Sequence, residues 1–217
     1  MRLVFSLICL MVLYLSLVAC TQLDLQTPVT AEDPGMLWQH RQESLNKFVD
    51  WDISGRLAFR MESRSGSSSL IWKHNEHEQR IQLLGPLGGG QINIYDGSDG
   101  VLLEDGTGKI FRGRSADEVF LSALSLSVPF AQLSYWVRGL PAPGVHNGIG
   151  LDRLGRVRNL TQDGWLIEYQ EYQSFSNMEL PRKIVVSSLP ALNLPNDDKS
   201  NKSIHLKLVI GKWGPNA

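Results

Sequence analysis

The chain has 217 residues, a formal net charge of −1 and two cysteines, Cys9 and Cys20. Near-neutral charge excludes the basic footprint of a nucleic-acid binder, so no nucleic-acid partner is expected. Two cysteines are too few for a disulfide framework, so the fold must hold by core packing, for which six Trp and many Val, Ile and Leu provide material.

The chain opens on one basic residue, Arg2, and an apolar run over residues 3–18, ending in Leu17-Val18-Ala19-Cys20. A basic start, an apolar stretch and a small residue before the cut describe a secretory signal peptide. A Cys directly after the small residue resembles a bacterial lipobox. That resemblance implies a diacylated Cys20 thiol, cleavage before Cys20 and usually acylation of the new amine. Two other readings compete: an ordinary signal peptide with an incidental Cys, and a single membrane-spanning anchor. The run is at the short end for spanning and has no basic stop-transfer cluster behind it. Thr21 stands where the inner-membrane retention signal of enteric bacteria has Asp, which favours the outer membrane. Cys9 leaves with residues 1–19 and Cys20 carries lipid, so no intrachain disulfide is expected.

Residues 20–33 hold Pro28 and polar side chains without apolar periodicity, and read as the lipidated Cys followed by a flexible tether. Residues 34–217 read as a single domain. Asp33-Pro34 is a helix start, with Asp33 as N-cap and Pro34 at the first helical position. Leu37, Trp38, Arg41, Leu45, Phe48 and Val49 recur at helical spacing, which predicts an amphipathic helix over 34–49.

At Trp51 the period changes. Trp51, Ile53, Gly55, Leu57 and Phe59 alternate with polar residues, which predicts a half-buried strand. Further strands are expected at 67–73, 79–84, 91–95, 100–104 and 108–112. Turn material separates them, including His74-Asn75-Glu76, Gly85-Pro86-Leu87-Gly88, Asp96-Gly97 and Asp105-Gly106. Short turns between consecutive strands imply an antiparallel meander. Ser115-Ala116-Asp117-Glu118 has capping-box spacing ahead of Val119, Phe120, Ala123 and Leu124. Leu133, Trp136, Val137 and Leu140 form a second short helix ended by Gly139 and Pro141. Strands resume at 156–161, 165–172, 182–188 and 203–210. The sum is mainly β with some α: a long antiparallel sheet that must curl, with helices covering its concave face.

No catalytic arrangement emerges, and neither a cofactor nor a metal is expected. His74 and His77 sit with Glu76 and Glu78 in a hairpin turn, where the helical HExxH geometry is impossible. No GxSxG surrounds a Ser, and the Gly-rich stretch 85–90 lacks the Lys-Ser/Thr of a phosphate loop. The unusual element is Gly85-Pro86-Leu87-Gly88, a tight excursion with an apolar residue at its tip. Leu87 either folds back onto the core or stays exposed to touch a bilayer.

Several strings, taken in order and spacing behind the lipobox, resemble the LolB family of outer-membrane lipoproteins. They are Trp51-x-x-x-Gly55-Arg56-Leu57, Ser69-Leu70-x-Trp72, Gly85-Pro86-Leu87-Gly88 and Pro129-x-x-x-Leu133-x-x-Trp136-Val137-x-Gly139-Leu140-Pro141. Later come Gln162-x-Gly164-Trp165-x-Ile167-x-Tyr169-x-x-Tyr172, Leu180-Pro181-Arg182-x-Ile184 and Lys207-Leu208-Val209-Ile210-x-x-Trp213. The match runs from about Trp38 to Trp213. Two departures stand out: residues 189–202 are longer than the usual connection, and Ser125 stands near where a Gly is expected.

The resemblance implies an open, strongly curved antiparallel β half-barrel with a helical lid over an apolar cavity. It implies a non-enzymatic role on the periplasmic face of the outer membrane. There the chain accepts lipoproteins from a LolA-type periplasmic carrier and inserts them into the bilayer. Leu87 in the Gly85-Pro86-Leu87-Gly88 loop is then the residue that engages the membrane. Trp72, Leu83, Ile94, Trp136, Leu140, Trp165 and Ile167 are candidates for the walls that hold the clients' acyl chains, and a monomer is expected. The rival readings are a lipid-anchored scaffold for outer-membrane assembly and, with less support, a periplasmic hydrolase.

Overall fold

Period-two alternation dominates the sequence after Trp51, and the architecture follows from it. The computed structural model describes residues 33–61, 64–86, 90–124, 128–190 and 203–215. One helix comes first: α1 (Pro34–Lys47), in which Asp33 accepts the Gly35 N–H at 3.2 Å and Trp38 and Leu45 turn inward. A meander of six strands follows: β1 (Trp51–Arg60), β2 (Ser65–His74), β3 (Gln79–Leu84), β4 (Gln91–Gly97), β5 (Gly100–Glu104) and β6 (Ile110–Gly113). Two helices, α2 (Ala116–Leu124) and α3 (Phe130–Trp136), interrupt the strands. A second meander then runs through β7 (His146–Leu151), β8 (Val157–Gln162), β9 (Trp165–Phe175), β10 (Met178–Ser188) and β11 (His205–Gly214).

All eleven strands form one antiparallel sheet in the order β6-β5-β4-β3-β2-β1-β11-β10-β9-β8-β7. β11 returns to pair with β1 and joins the two meanders, while β6 and β7 stay at opposite edges, so the sheet is open. The β1–β11 seam depends on Gly55. The register slips there, with Ser54 opposite Lys212 and Gly55 opposite Ile210, leaving Gly211 as the extra residue. A Cβ on Gly55 would lie 2.2 Å from the Val209 carbonyl oxygen. Only Gly permits that approach, which gives the Trp51-x-x-x-Gly55 string a structural meaning.

Several element ends shift by a few residues, with α1 stopping at Lys47 and β10 starting at Met178, and two elements differ more. β7 has no counterpart in the sequence reading, because Gly148 and Gly150 break its apolar pattern. Leu140 lies beyond α3. Gly139 takes φ 83° there, and the Leu140 N–H bonds back to the Tyr135 carbonyl at 3.2 Å. This is a left-handed helix stop that Gly adopts without steric cost.

Candidate functional site

The helices are fixed before they can roof anything. Ser115 Oγ accepts the Glu118 N–H at 3.3 Å and Glu118 Oε2 accepts the Arg114 N–H at 3.0 Å, so the capping box forms with its return bond one residue early. Asp117 of α2 accepts the Phe130 N–H at 3.0 Å and so caps the start of α3. Beneath α3, the fully buried Gln162 joins three groups. Its Oε1 accepts from Trp136 Nε1 at 3.0 Å and from the Ala142 N–H at 2.9 Å, and its Nε2 donates to the Ala142 carbonyl at 2.9 Å. Tyr169 Oη donates to the Trp136 carbonyl at 2.9 Å. Gln162 and Tyr169 therefore bolt the 129–142 segment to the sheet.

Between these helices and the inner face of the sheet lies an open cavity of 590 Å³. That volume is in the range of ligand pockets. Its sheet walls come from Leu57 and Phe59 of β1, Leu70 and Trp72 of β2, and Ile184, Val186, Leu206 and Leu208 of β10 and β11. The roof is Phe120 and Leu124 of α2 with Phe130, Leu133 and Trp136 of α3. Phe130 stacks over Trp72 at 5.8 Å and meets Phe120 at 5.1 Å. The indole N–H groups of both wall tryptophans are satisfied, Trp72 by Gln79 Oε1 at 3.1 Å and Trp136 by Gln162.

Polar groups gather at one rim. Arg64 Nη2 donates to the Leu124 carbonyl at 3.3 Å, tying the β1–β2 connection to the end of α2. Asp105 bonds the Thr107 hydroxyl at 2.7 Å and the Thr107 N–H at 2.9 Å, and these bonds hold its carboxyl below the usual carboxylate range. The β3–β4 connection reaches the same rim. Gly85 and Pro86 line it, and the Gly85 N–H bonds the Gly90 carbonyl at 2.9 Å. Leu87 and Gly88 of that loop lie outside the described residues, as does Cys20.

Of the candidate wall residues, Trp72, Leu83, Ile94 and Trp136 line the cavity. Leu140, Trp165 and Ile167 do not line it. They are buried in the core, with Ile167 opposite Leu160 and Val186 in the sheet. Sequence reasoning passed over Leu57, Phe59, Leu206 and Leu208, although the alternation in β1 and β11 marks them as inner-face residues. It also passed over Arg138, the unspecified position in Trp136-Val137-x-Gly139. This buried guanidinium donates to the Ser134, Leu45 and Phe48 carbonyls at 3.0, 3.2 and 2.9 Å. Among the described residues, no group of three or more His, Cys, Asp or Glu side chains could hold a metal ion.

A family model described as "Outer membrane lipoprotein LolB" matches residues 49–213. The "Outer-membrane lipoprotein LolB" of Nitrosococcus oceani is 35% identical over 192 residues, spanning 88% of this chain and 89% of that one. Its namesake from Ectopseudomonas mendocina is 31% identical over 213 residues, spanning 98% and 95%. The namesake from Alkalilimnicola ehrlichii is 33% identical over 174 residues, spanning 80% and 85%. The chain belongs to the LolB family of outer membrane lipoproteins.

Proposed function

We propose that this lipid-anchored outer-membrane protein accepts lipoproteins from a LolA-type periplasmic carrier, holds their acyl chains in its cavity and passes them to the bilayer. The observation that carries the reading is the apolar 590 Å³ cavity between helices and sheet, whose lining includes Gly85 and Pro86 at the start of the β3–β4 loop. A lipidated client cannot cross water unaided. At about 0.8 kcal/mol per CH₂, exposing one long chain costs on the order of 10 kcal/mol. A carrier therefore has to offer a dry surface at each step. Apolar walls supply it without directional bonds, so the chains can slide in and leave again. No covalent step and no nucleotide is required if each acceptor in the series binds the chains better than the one before.

In this reading Cys20 carries the protein's own anchor, residues 20–33 are its tether and residues 34–217 act as one monomeric binding domain. Gly85, Pro86, Leu87 and Gly88 form the membrane-engaging loop, and Trp72, Leu83, Ile94 and Trp136 contact the client's chains. One Leu entering a bilayer gains about 2 kcal/mol. That is too little to anchor the protein and enough to bias the loop toward acyl chains. The test is Leu87→Glu, assayed for uptake of labelled lipoprotein from the carrier, delivery to liposomes and thermal stability. Normal melting, normal uptake and lost delivery are expected. A stability loss of several kcal/mol, as for a buried charge, would instead make Leu87 a core residue.

A further inference from the structure

The wall residues Leu57, Phe59, Leu206 and Leu208 fix the parity of the two central strands, and the opposite face of those strands is basic. Arg56 and Arg60 on β1 and Lys207 on β11 are exposed, with Ala58 opposite Lys207 and Arg60 directly opposite His205, whose Nδ1 lies 2.9 Å from Ser187 Oγ. None of Arg56, Arg60 or Lys207 makes an ion pair with a described residue. Ser65, Ser67 and Ser69 occupy the outer face of β2 beside them, and Val185 and Ser187 that of β10. Between Ser54 and Arg60 the outer face of these four strands carries no carboxylate; the nearest on that face along the row of Lys207 is Glu168 of β9, opposite Val185. The local concentration of positive charge contrasts with the chain's net charge of −1.

We propose that this outer face of β1 and β11 docks onto the phosphate headgroups of an anionic lipid surface. Arg56 and Arg60 are spaced by about 13 Å along one strand, and neighbouring strands stand about 4.8 Å apart. The cations therefore form a broad patch, suited to a plane of phosphates more than to one anion. The flanking serines and Val185 are short, so the long basic side chains reach past them; Lys183 of β10, in the row of Arg56, pairs with Glu171 of β9 at 3.5 Å. The chain is anchored in a membrane by its lipid, which keeps such a surface at high effective concentration. The patch also runs up to the cavity's lining: Arg60, the last residue of β1, is followed directly by Met61, which lines the cavity. Such docking goes beyond the transfer reading and requires neither client nor carrier.

The test uses the lipidated full-length protein reconstituted in vesicles. Once Cys20 is acylated and Cys9 removed, an engineered Cys is the only free thiol. Ser69→Cys, opposite Arg56, carries a fluorophore, and Ser98→Cys, in the turn at the other end of the strands, serves as reference. Headgroup-attached quencher lipids report proximity. In vesicles containing phosphatidylglycerol, the Ser69 site should be quenched more than in phosphatidylcholine alone, while the Ser98 site stays unchanged. Each basic side chain at an anionic surface should shift the docked ratio about fivefold, and high salt should abolish the difference. Arg60→Glu should weaken quenching, and Arg56→Glu with Lys207→Glu should remove it. Equal quenching in both lipids, or salt-insensitive quenching, overturns the proposal. So does a charge-reversed protein that docks normally yet fails to take client from the carrier, because the patch then serves an acidic protein. The comparison of lipids on the unsubstituted patch stands even if the reversed variants fold poorly.

Discussion

His74 shows how one side chain couples the fold to pH. Its ring stacks on Trp51 with centroids 4.7 Å apart and planes within 3°, and its Nδ1 lies 2.9 Å from the Val49 carbonyl. A carbonyl only accepts, so the proton sits on Nδ1. Burial lowers the pKa of His74 below its ordinary 6.5; the Arg138 charge acts in the same direction, and the Val49 bond opposes both. The unfolded chain therefore takes up a proton near pH 6.5 that the folded chain refuses. The contribution to stability is present above that pH and is lost as pH falls through the lowered folded value. Stability measured by urea unfolding should decline below about pH 6.5, and His74→Gln should flatten that decline by up to one proton's slope. An unchanged profile in the variant would assign the decline to other groups.

At the scale of elements, α1 is held by other elements more than by its own amphipathicity, since only Trp38 and Leu45 are buried in it. Arg138, just past α3, reaches across to the Leu45 and Phe48 carbonyls at its C-terminal end. Carbonyls at a helix end carry partial negative charge, so they satisfy a buried cation without a carboxylate. A planar fork is needed to reach three carbonyls at once, and Lys cannot supply it. Arg138→Met should cost about 3 kcal/mol. Hydrogen exchange should locate the loss in α1, with Arg138→Lys recovering little of it. Protection in α1 equal to the parent protein's would show that its sheet contacts suffice.

The whole molecule was legible in the sequence to different depths. The strands of the first meander carry strong alternation and clean turns, and they stand within a few residues of where the pattern puts them, β2 starting earlier at Ser65 and β6 later at Ile110. β7 was illegible because an edge strand with Gly148 and Gly150 has little apolar signal and takes its form from β8. Strand parity gave the inner face of β1, so Leu57 and Phe59 could have been named as wall residues. It could not show where along the sheet the helices stand clear of it. For that reason Leu140, Trp165 and Ile167 share the apolar character of Trp72 and Leu83 yet sit in packed core. The buried polar ties through Gln162 and Arg138 were hidden as well, since neither residue type marks a core position in sequence.

The central claim is that client acyl chains occupy the inner face of this sheet, and adjacent residues on β3 test it directly. Leu83 lines the cavity, and Gln82 faces the opposite side, bonding Asn93 Oδ1 at 3.4 Å. A photocrosslinking amino acid at each position, challenged with lipoprotein labelled in its acyl chains and delivered by the carrier, separates the two faces by one residue. Strong labelling from position 83 and none from position 82 is the predicted result. Equal labelling from both positions, or labelling from 82 alone, would contradict a cavity-borne cargo.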